Sequence, residues 1–331
     1  MRSARSESGA FRRRRRSQTQ KATKRTFIGT TRGLHLLDPD DGSVGVRPDP
    51  SVGEREVTAL ASSESGLWVV LDGHRLALRE ADGAWTDVAV SDPYEATSVL
   101  AGSRGLFVGT EEAHLLRLVE GRLTIVEAFE HVEGRDGWYT PWGGPPAVRS
   151  LTEDLSGRVH VNVHVGGIPR STGDGARWEP TIDVDADVHE VIAHPEEPDV
   201  VLAACALGLA VSRDGGASWE IRANGMHARY SRAVAVAGDV ILMSASQGPR
   251  GGHAALYSTS LAGASLEKVR GGLPEWFDGN IDTARLAASG DEVVFATEGG
   301  TLFGSVDAGA SWWARARELP TITTIALAPR T

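Results

Sequence analysis

From Thr26 onward the chain is a repeating series of short apolar runs separated by Gly-, Asp- and Ser-rich breaks. A run of the type V-x-A-L-A-x recurs at 57–61, 97–101, 148–152, 188–193, 233–237, 284–288 and 322–328. Most of these runs are followed by a second one, at 67–71, 105–109, 159–165, 200–206, 240–245 and 293–297. A Gly- or His-containing turn and a third run then follow, as at 76–79, 114–118, 208–212, 255–258 and 302–305. Runs of this length between turn residues predict β-strands. The first runs start roughly 40 to 50 residues apart, the period of a four-stranded propeller blade.

Counting first runs gives seven inner strands. The last, 322–328, has nothing after it to pair with, while the first structured segment, 26–48, has outer strands but no inner strand before it. The two ends therefore complete one blade, and closure removes the exposed sheet edges of an open ring. The expected fold is all-β, a seven-bladed β-propeller of four-stranded antiparallel blades closed by pairing of the C-terminal strand with the N-terminal blade. Six blades with one irregular insertion is the alternative. Residues 26–331 form the single propeller domain, and residues 1–25 are expected to be a disordered basic tail, polar and without apolar periodicity.

Two breaks share a finer pattern. Ser212, Asp214, Gly216 and Trp219 give S-x-D-x-G-x-x-W, and Ser305, Asp307, Gly309 and Trp312 repeat it. A worn copy has Ser171, Gly175 and Trp178, with Gly173 at the aspartate position and Asp174 one place late. The Ser and Asp side chains suit an Asx-type closure of a tight turn, the glycine suits a positive φ, and the tryptophan folds back over the hairpin. The pattern resembles the Asp-box, or BNR repeat, of propellers such as sialidases, sortilin-type receptors and photosystem II assembly factors. That resemblance implies a propeller whose boxes are structural hairpins at the rim, away from any ligand. The sialidase active centre is not matched. Gly167-Ile168-Pro169-Arg170 lacks the arginine that precedes Ile-Pro in those enzymes. Arg149, Arg232 and Arg285 are the nearest counterparts of their arginine triad and Tyr230 of their nucleophile, but no glutamate pairs with Tyr230.

Charge narrows the partners. The formal net charge is −10, yet residues 1–25 hold ten Lys or Arg and only Glu7 as an acid, leaving 24 basic and 43 acidic side chains elsewhere, a net −19. An acidic body argues against nucleic-acid binding as the main task. No run approaches the ~18 apolar residues of a membrane span, and no apolar stretch follows the Arg12–Arg16 charges as a signal peptide requires. A cytoplasmic monomer without membrane attachment is expected. The single cysteine, Cys205, excludes an intrachain disulfide and sits in an apolar run as a small buried hydrophobe.

Two long insertions, 129–147 and 271–282, precede inner strands. Loops leading into inner strands share one face of the disc with the turns between second and third strands, so their side chains converge. The leading loops and strand starts bring Trp138, Tyr139, Trp142, Arg149, His189, Tyr230, Arg232 and Asp282, and the turns bring His164 and His253. Aromatics with a few convergent polar groups are the make-up of a small-molecule pocket. The segment 159–165, VHVNVHV, puts His160, Asn162 and His164 on one strand face, with His189 expected beside them. Two readings follow. One is a binding module that holds a small ligand or a protein loop on this face. The other is a propeller enzyme, lyase or glycoside hydrolase-like, using the His/Arg/Tyr cluster. No cofactor is expected and no catalytic residue is assigned; a divalent metal on the paired histidines is the alternative, because no third ligand shows a diagnostic spacing.

Overall fold

The computed structural model describes residues 23–39, 45–172 and 175–329. Their strands form seven separate four-stranded antiparallel sheets, each wound from an inner to an outer strand. The inner strands are Val57–Ser63, Ala96–Gly102, Val148–Glu153, Val188–Ala193, Val234–Ala237, Leu286–Ser289 and Ile322–Pro329, here blades one to seven. The seventh blade is sewn from both chain ends. Ile322–Pro329 pairs with Lys24–Thr30, with Thr26 opposite Leu327 and Ile28 opposite Ile325, and Gly33–Leu37 and Arg47–Pro48 complete the sheet. The fold is the expected seven-bladed propeller. Its first strand starts at Lys24, two residues earlier than expected, and the Glu292 carboxylate accepts the Thr23 N–H and hydroxyl, both at 2.6 Å. The rest of the expected basic tail, residues 1–22, lies outside the described residues.

Blades pack on both faces, which is why their middle strands read as unbroken apolar runs. Every residue of Val201–Cys205 and Gly208–Ser212 is buried. Seven apolar clusters fill the gaps between neighbouring blades. Between blades five and six, Phe295 stacks on Phe303 at 5.1 Å, and Trp312 meets Phe295 edge-on at 5.1 Å. Cys205 lies in such a gap, its thiol pushed up to about 11 by burial.

Both S-x-D-x-G-x-x-W segments are hairpins between third and fourth strands. In the first, Ser212 Oγ accepts the Gly216 N–H at 2.7 Å, and Asp214 accepts the Ser218 N–H at 2.8 Å and hydroxyl at 2.6 Å. The second repeats these bonds with Ser305, Gly309, Asp307 and Ser311 at 2.9, 2.8 and 2.6 Å. The tryptophans differ. Trp312 is buried and donates its Nε1–H to Gly309 O at 2.9 Å. Trp219 is only half-buried, packed with Ile182 against the apolar cluster between blades three and four, its Nε1–H 3.4 Å from Thr181 Oγ1. In the worn copy Trp178 is buried against Phe129, and residues 173 and 174 lie outside the described residues.

One backbone device recurs where the chain turns into its inner strands, the face called upper below. In five blades the pairing slips by one residue there, leaving Thr58, Thr97, Arg149, His189 and Thr323 as the extra residue of a bulge. Blade five slips too, between the Tyr230–Ser246 and Val234–Met243 pairs, in the interval that holds Arg232. A bulge leaves one residue out of the ladder and re-aims its side chain. The threonines use this freedom to tie the ring together. Thr323 donates its hydroxyl to Val57 O, Thr58 to Ala96 O at 3.4 Å and Thr97 to Val148 O at 2.5 Å, each reaching the next blade.

Candidate functional site

In blades three, four and five the bulge position holds Arg149, His189 and Arg232 instead of threonine. Antiparallel pairing sets Val148 opposite Val163, so His164, just past the second strand, stands at the same upper end. The segment before blade four makes one 3-10 turn, Val184–Ala186, and ends at Asp187 in the left-handed region at φ 48°. Aspartate tolerates that conformation better than most residues. It turns the Asp187 carboxylate back toward the two histidines.

The rings form a chain across the three blades. Trp142 lies 5.0 Å from His164, His164 5.4 Å from His189, and His189 4.8 Å from Tyr230, centroid to centroid. Arg232 continues it, its guanidinium 5.4 Å from the Tyr230 ring, with Nη2 donating to the Tyr230 hydroxyl at 3.2 Å. Arg232 Nη1 reaches both Asp282 oxygens, at 2.9 and 3.0 Å. His189 is fully buried and its Nδ1 lies 2.7 Å from Ser231 O. A carbonyl only accepts, so Nδ1 carries the proton and Nε2 keeps its lone pair. That Nε2 stands 3.6 Å from Asp187 Oδ1, and His164 Nε2 stands 3.2 Å from the same oxygen. The first is beyond hydrogen-bond reach and the second is not aligned as one, and all three atoms are buried without a hydrogen-bond partner.

Burial dominates the electrostatics. It lowers His164 below the ordinary imidazole value and takes His189 down to about 4, against the opposing pull of Asp187. Both rings are therefore neutral near pH 7. Burial alone would raise Asp187, but its net shift is downward; of the neighbours responsible, His164, His189 and Arg149, only the guanidinium is charged near pH 7, and the carboxylate is ionised. Glu190, one residue beyond His189, is pushed by burial up to about 8 while its oxygens accept the Val234 and Ala284 N–H groups, both at 2.8 Å. Arg149 is lowered first by burial and then by Arg232, with Asp282, Tyr230 and Asp187 pulling the other way. Arg149 and Arg232 thus balance Asp187 and Asp282, and among the described residues nothing forms a hydrogen bond or ion pair with the Arg149 guanidinium.

Of the ten expected site residues, the structure draws together Trp142, Arg149, His164, His189, Tyr230, Arg232 and Asp282. Trp138 packs into the apolar cluster between blades two and three, 5.9 Å from Phe129 and under the Arg135 guanidinium. Tyr139 is exposed. His253 packs edge-on against Trp276 at 5.3 Å, in a separate group with His227 and Tyr257. His160 does not join His164. It lies toward the other end of the strand, with Nε2 3.0 Å from Asp154 Oδ2. His194 accepts the Glu196 and Glu197 N–H groups in its own turn. Two members were missed. Asp187 was legible as the acid two residues before His189. Glu190 sits in an apolar strand, where nothing in the spacing sets it apart.

The fold and this cluster define a seven-bladed β-propeller with an ionisable group of side chains over the upper ends of three inner strands. No protein-family model matches the chain, and no curated protein matches it. Among solved structures it is similar to the periplasmic gluconolactonase of Pseudomonas aeruginosa, at 14% identity and TM-score 0.61, over 93% of this chain and 99% of that one. It is also similar to a catalytically inactive virginiamycin B lyase from Staphylococcus aureus with quinupristin, at 13% identity and TM-score 0.59, over 83% and 92% of the two chains. A third likeness is to YCF48 bound to D1 peptide, at 10% identity and TM-score 0.51, over 83% and 85%. At these identities the likeness is one of fold. Among the described residues no helix is long and apolar enough to cross a membrane.

Proposed function

We propose that the protein is a ligand-binding propeller of the BNR/Asp-box type, holding a small carboxylate-bearing molecule on its upper face over blades three to five. Arg149 carries this reading. Its guanidinium sits among Arg232, Tyr230, Asp187, Asp282 and Glu111, and among the described residues no carboxylate forms an ion pair with it. A half-buried guanidinium without a partner is costly, and a ligand carboxylate supplies the two parallel charge-assisted bonds that suit it. The exposed Trp142 indole and the Tyr230 ring offer flat apolar surface for the rest of the ligand.

A propeller enzyme, lyase or glycoside hydrolase-like, is the second reading, favoured by the convergence of His164, Asp187 and His189 beside Tyr230. The similar solved propellers include a lyase, a gluconolactonase and a peptide-bound protein, so the fold decides between neither reading. Thermal-shift screening of the full chain against small carboxylic acids, sugar acids included, tests the proposal, with product analysis of any hit to separate binding from turnover. At least one acid is expected to raise the melting temperature. Arg149→Ala should weaken its binding about 100-fold, or ~3 kcal/mol, while the ligand-free variant melts with wild type. An acid that binds Arg149→Ala as tightly as wild type contradicts the assignment.

A further inference from the structure

We propose that His164, Asp187 and His189 bind one divalent transition-metal ion of the zinc type, with a coordination position left open toward Trp142, Tyr230 and Arg149. The inference goes beyond the carboxylate reading and does not depend on it. Its basis is the set of atoms left over. His164 Nε2, Asp187 Oδ1 and His189 Nε2 are buried, lie within 4.8 Å of one another, and each lacks a hydrogen-bond partner. Buried polar atoms are rarely orphaned, and three orphans so close to one another are a stronger anomaly than any one of them.

The chemistry of the gap is specific. The Nδ1–H of His189 is held by Ser231 O, so the unprotonated His189 Nε2 stands 3.6 Å from an anionic oxygen. A lone pair facing a carboxylate is repulsive unless something positive lies between them. The bond from the far ring nitrogen to a backbone carbonyl is the support that metal-binding histidines usually have. Two of the three separations fit. Ligands about 2.1 Å from a tetrahedral ion stand about 3.4 Å apart, and the two distances to Asp187 Oδ1 are 3.2 and 3.6 Å; the third, between the two histidine nitrogens, is no more than 4.8 Å, and the rings close on the ion as it binds. Two imidazoles and one carboxylate suit zinc and its first-row neighbours; calcium and magnesium prefer all-oxygen sets. The fully buried His189 ring and the αL backbone at Asp187 fix two of the three ligands before any ion arrives. With Arg149 and Arg232 already balanced by Asp187 and Asp282, an added dication makes the site cationic, and its open position favours an anionic ligand atom.

The test uses the full chain, stripped with a chelator and titrated with Zn²⁺ by calorimetry, and with Co²⁺ for its visible ligand-field absorption. Wild type should take up one equivalent of Zn²⁺ and show a four- or five-coordinate Co²⁺ spectrum. Asp187→Asn and His189→Gln should each weaken Zn²⁺ uptake at least about 100-fold and lose that spectrum, with folding checked by circular dichroism. Asp187 lies in a partly exposed turn, so Asp187→Asn serves even where His189→Gln fails to fold. His253→Gln should bind as wild type does, and Arg149→Ala should bind as well or more tightly, so failure here is distinguishable from failure of the carboxylate reading. Absence of a saturable equivalent in wild type, or unchanged Zn²⁺ affinity in Asp187→Asn, overturns the proposal and leaves the three atoms bridged by water.

Discussion

The ring has two arcs built on one backbone device. In blades seven, one and two the bulge at the start of the inner strand holds Thr323, Thr58 and Thr97, each tying its blade to the next through a hydroxyl. In blades three, four and five the same position holds Arg149, His189 and Arg232, and those ties are gone. Other groups join the blades there. Ser150 Oγ and Thr152 Oγ1 accept the Val191 and Ala193 N–H groups, both at 2.9 Å. Glu190 accepts from Val234 and Ala284, and the Thr283 hydroxyl lies 3.1 and 3.2 Å from the His189 and Arg232 carbonyls. A repeat that gives up its stapling residue in three successive copies, for side chains that meet each other, has released those positions from holding the ring together. That is the physical argument for placing function on this arc.

The largest effect expected from breaking the comparison is at the substitute ties. Glu190→Ala strands one buried and one part-buried backbone donor and should cost about 2–4 kcal/mol in chemical denaturation. A loss no greater than that of a surface substitution would mean that this arc is held by packing alone.

The strand carrying His160 and His164 sharpens the contrast, because the two histidines share a strand face and meet opposite fates. Asp154 accepts the Ser156 and Arg158 N–H groups and closes on the His160 ring and the Arg158 guanidinium, so His160 is a staple. Burial alone would raise Asp154, but the bonds from His160 and Arg158 bring it from 3.8 down to about 2. A depressed carboxylate contributes stability that is fully present above its unfolded value and lost as pH falls through its folded one. Stability should therefore drop by roughly 1–2 kcal/mol between about pH 4 and pH 2. Asp154→Asn should start lower and flatten that limb in a series of denaturant titrations; an unchanged limb would take Asp154 out of the account. The smallest effect belongs to the threonine arc, where Thr97→Ala should cost about 0.5–1.5 kcal/mol and leave ligand and Zn²⁺ binding unchanged.

The blade count and the closing strand were legible because burial on both faces forces unbroken apolar runs at a fixed period, and an unpaired inner strand at one end demands partners at the other. Much of the site was legible for a related reason: strand order alone brings the starts of inner strands and the ends of second strands to one face, which gathered Arg149, His164, His189, Arg232 and Asp282. Side-chain direction inside the long loops was not legible. Trp138 was expected at the site, but it joins Phe129 and Arg135 over the apolar gap between blades two and three, which the long loop covers with its own aromatic residues. The aim of Asp187 depends on a single left-handed residue, which no periodicity announces. The depth of Trp219 escaped as well, since the same motif buries Trp312 in one gap between blades and leaves Trp219 half-buried against another.

The most direct test of the two-arc account is the melting temperature of ligand-free Arg149→Thr. If Arg149 serves a ligand and not the ring, restoring the residue type that staples blades seven, one and two should leave the melting temperature unchanged or raise it, by up to ~1 kcal/mol of stability. A clear fall, comparable to that of Glu190→Ala, would show that Arg149 holds the blades together and would contradict the account.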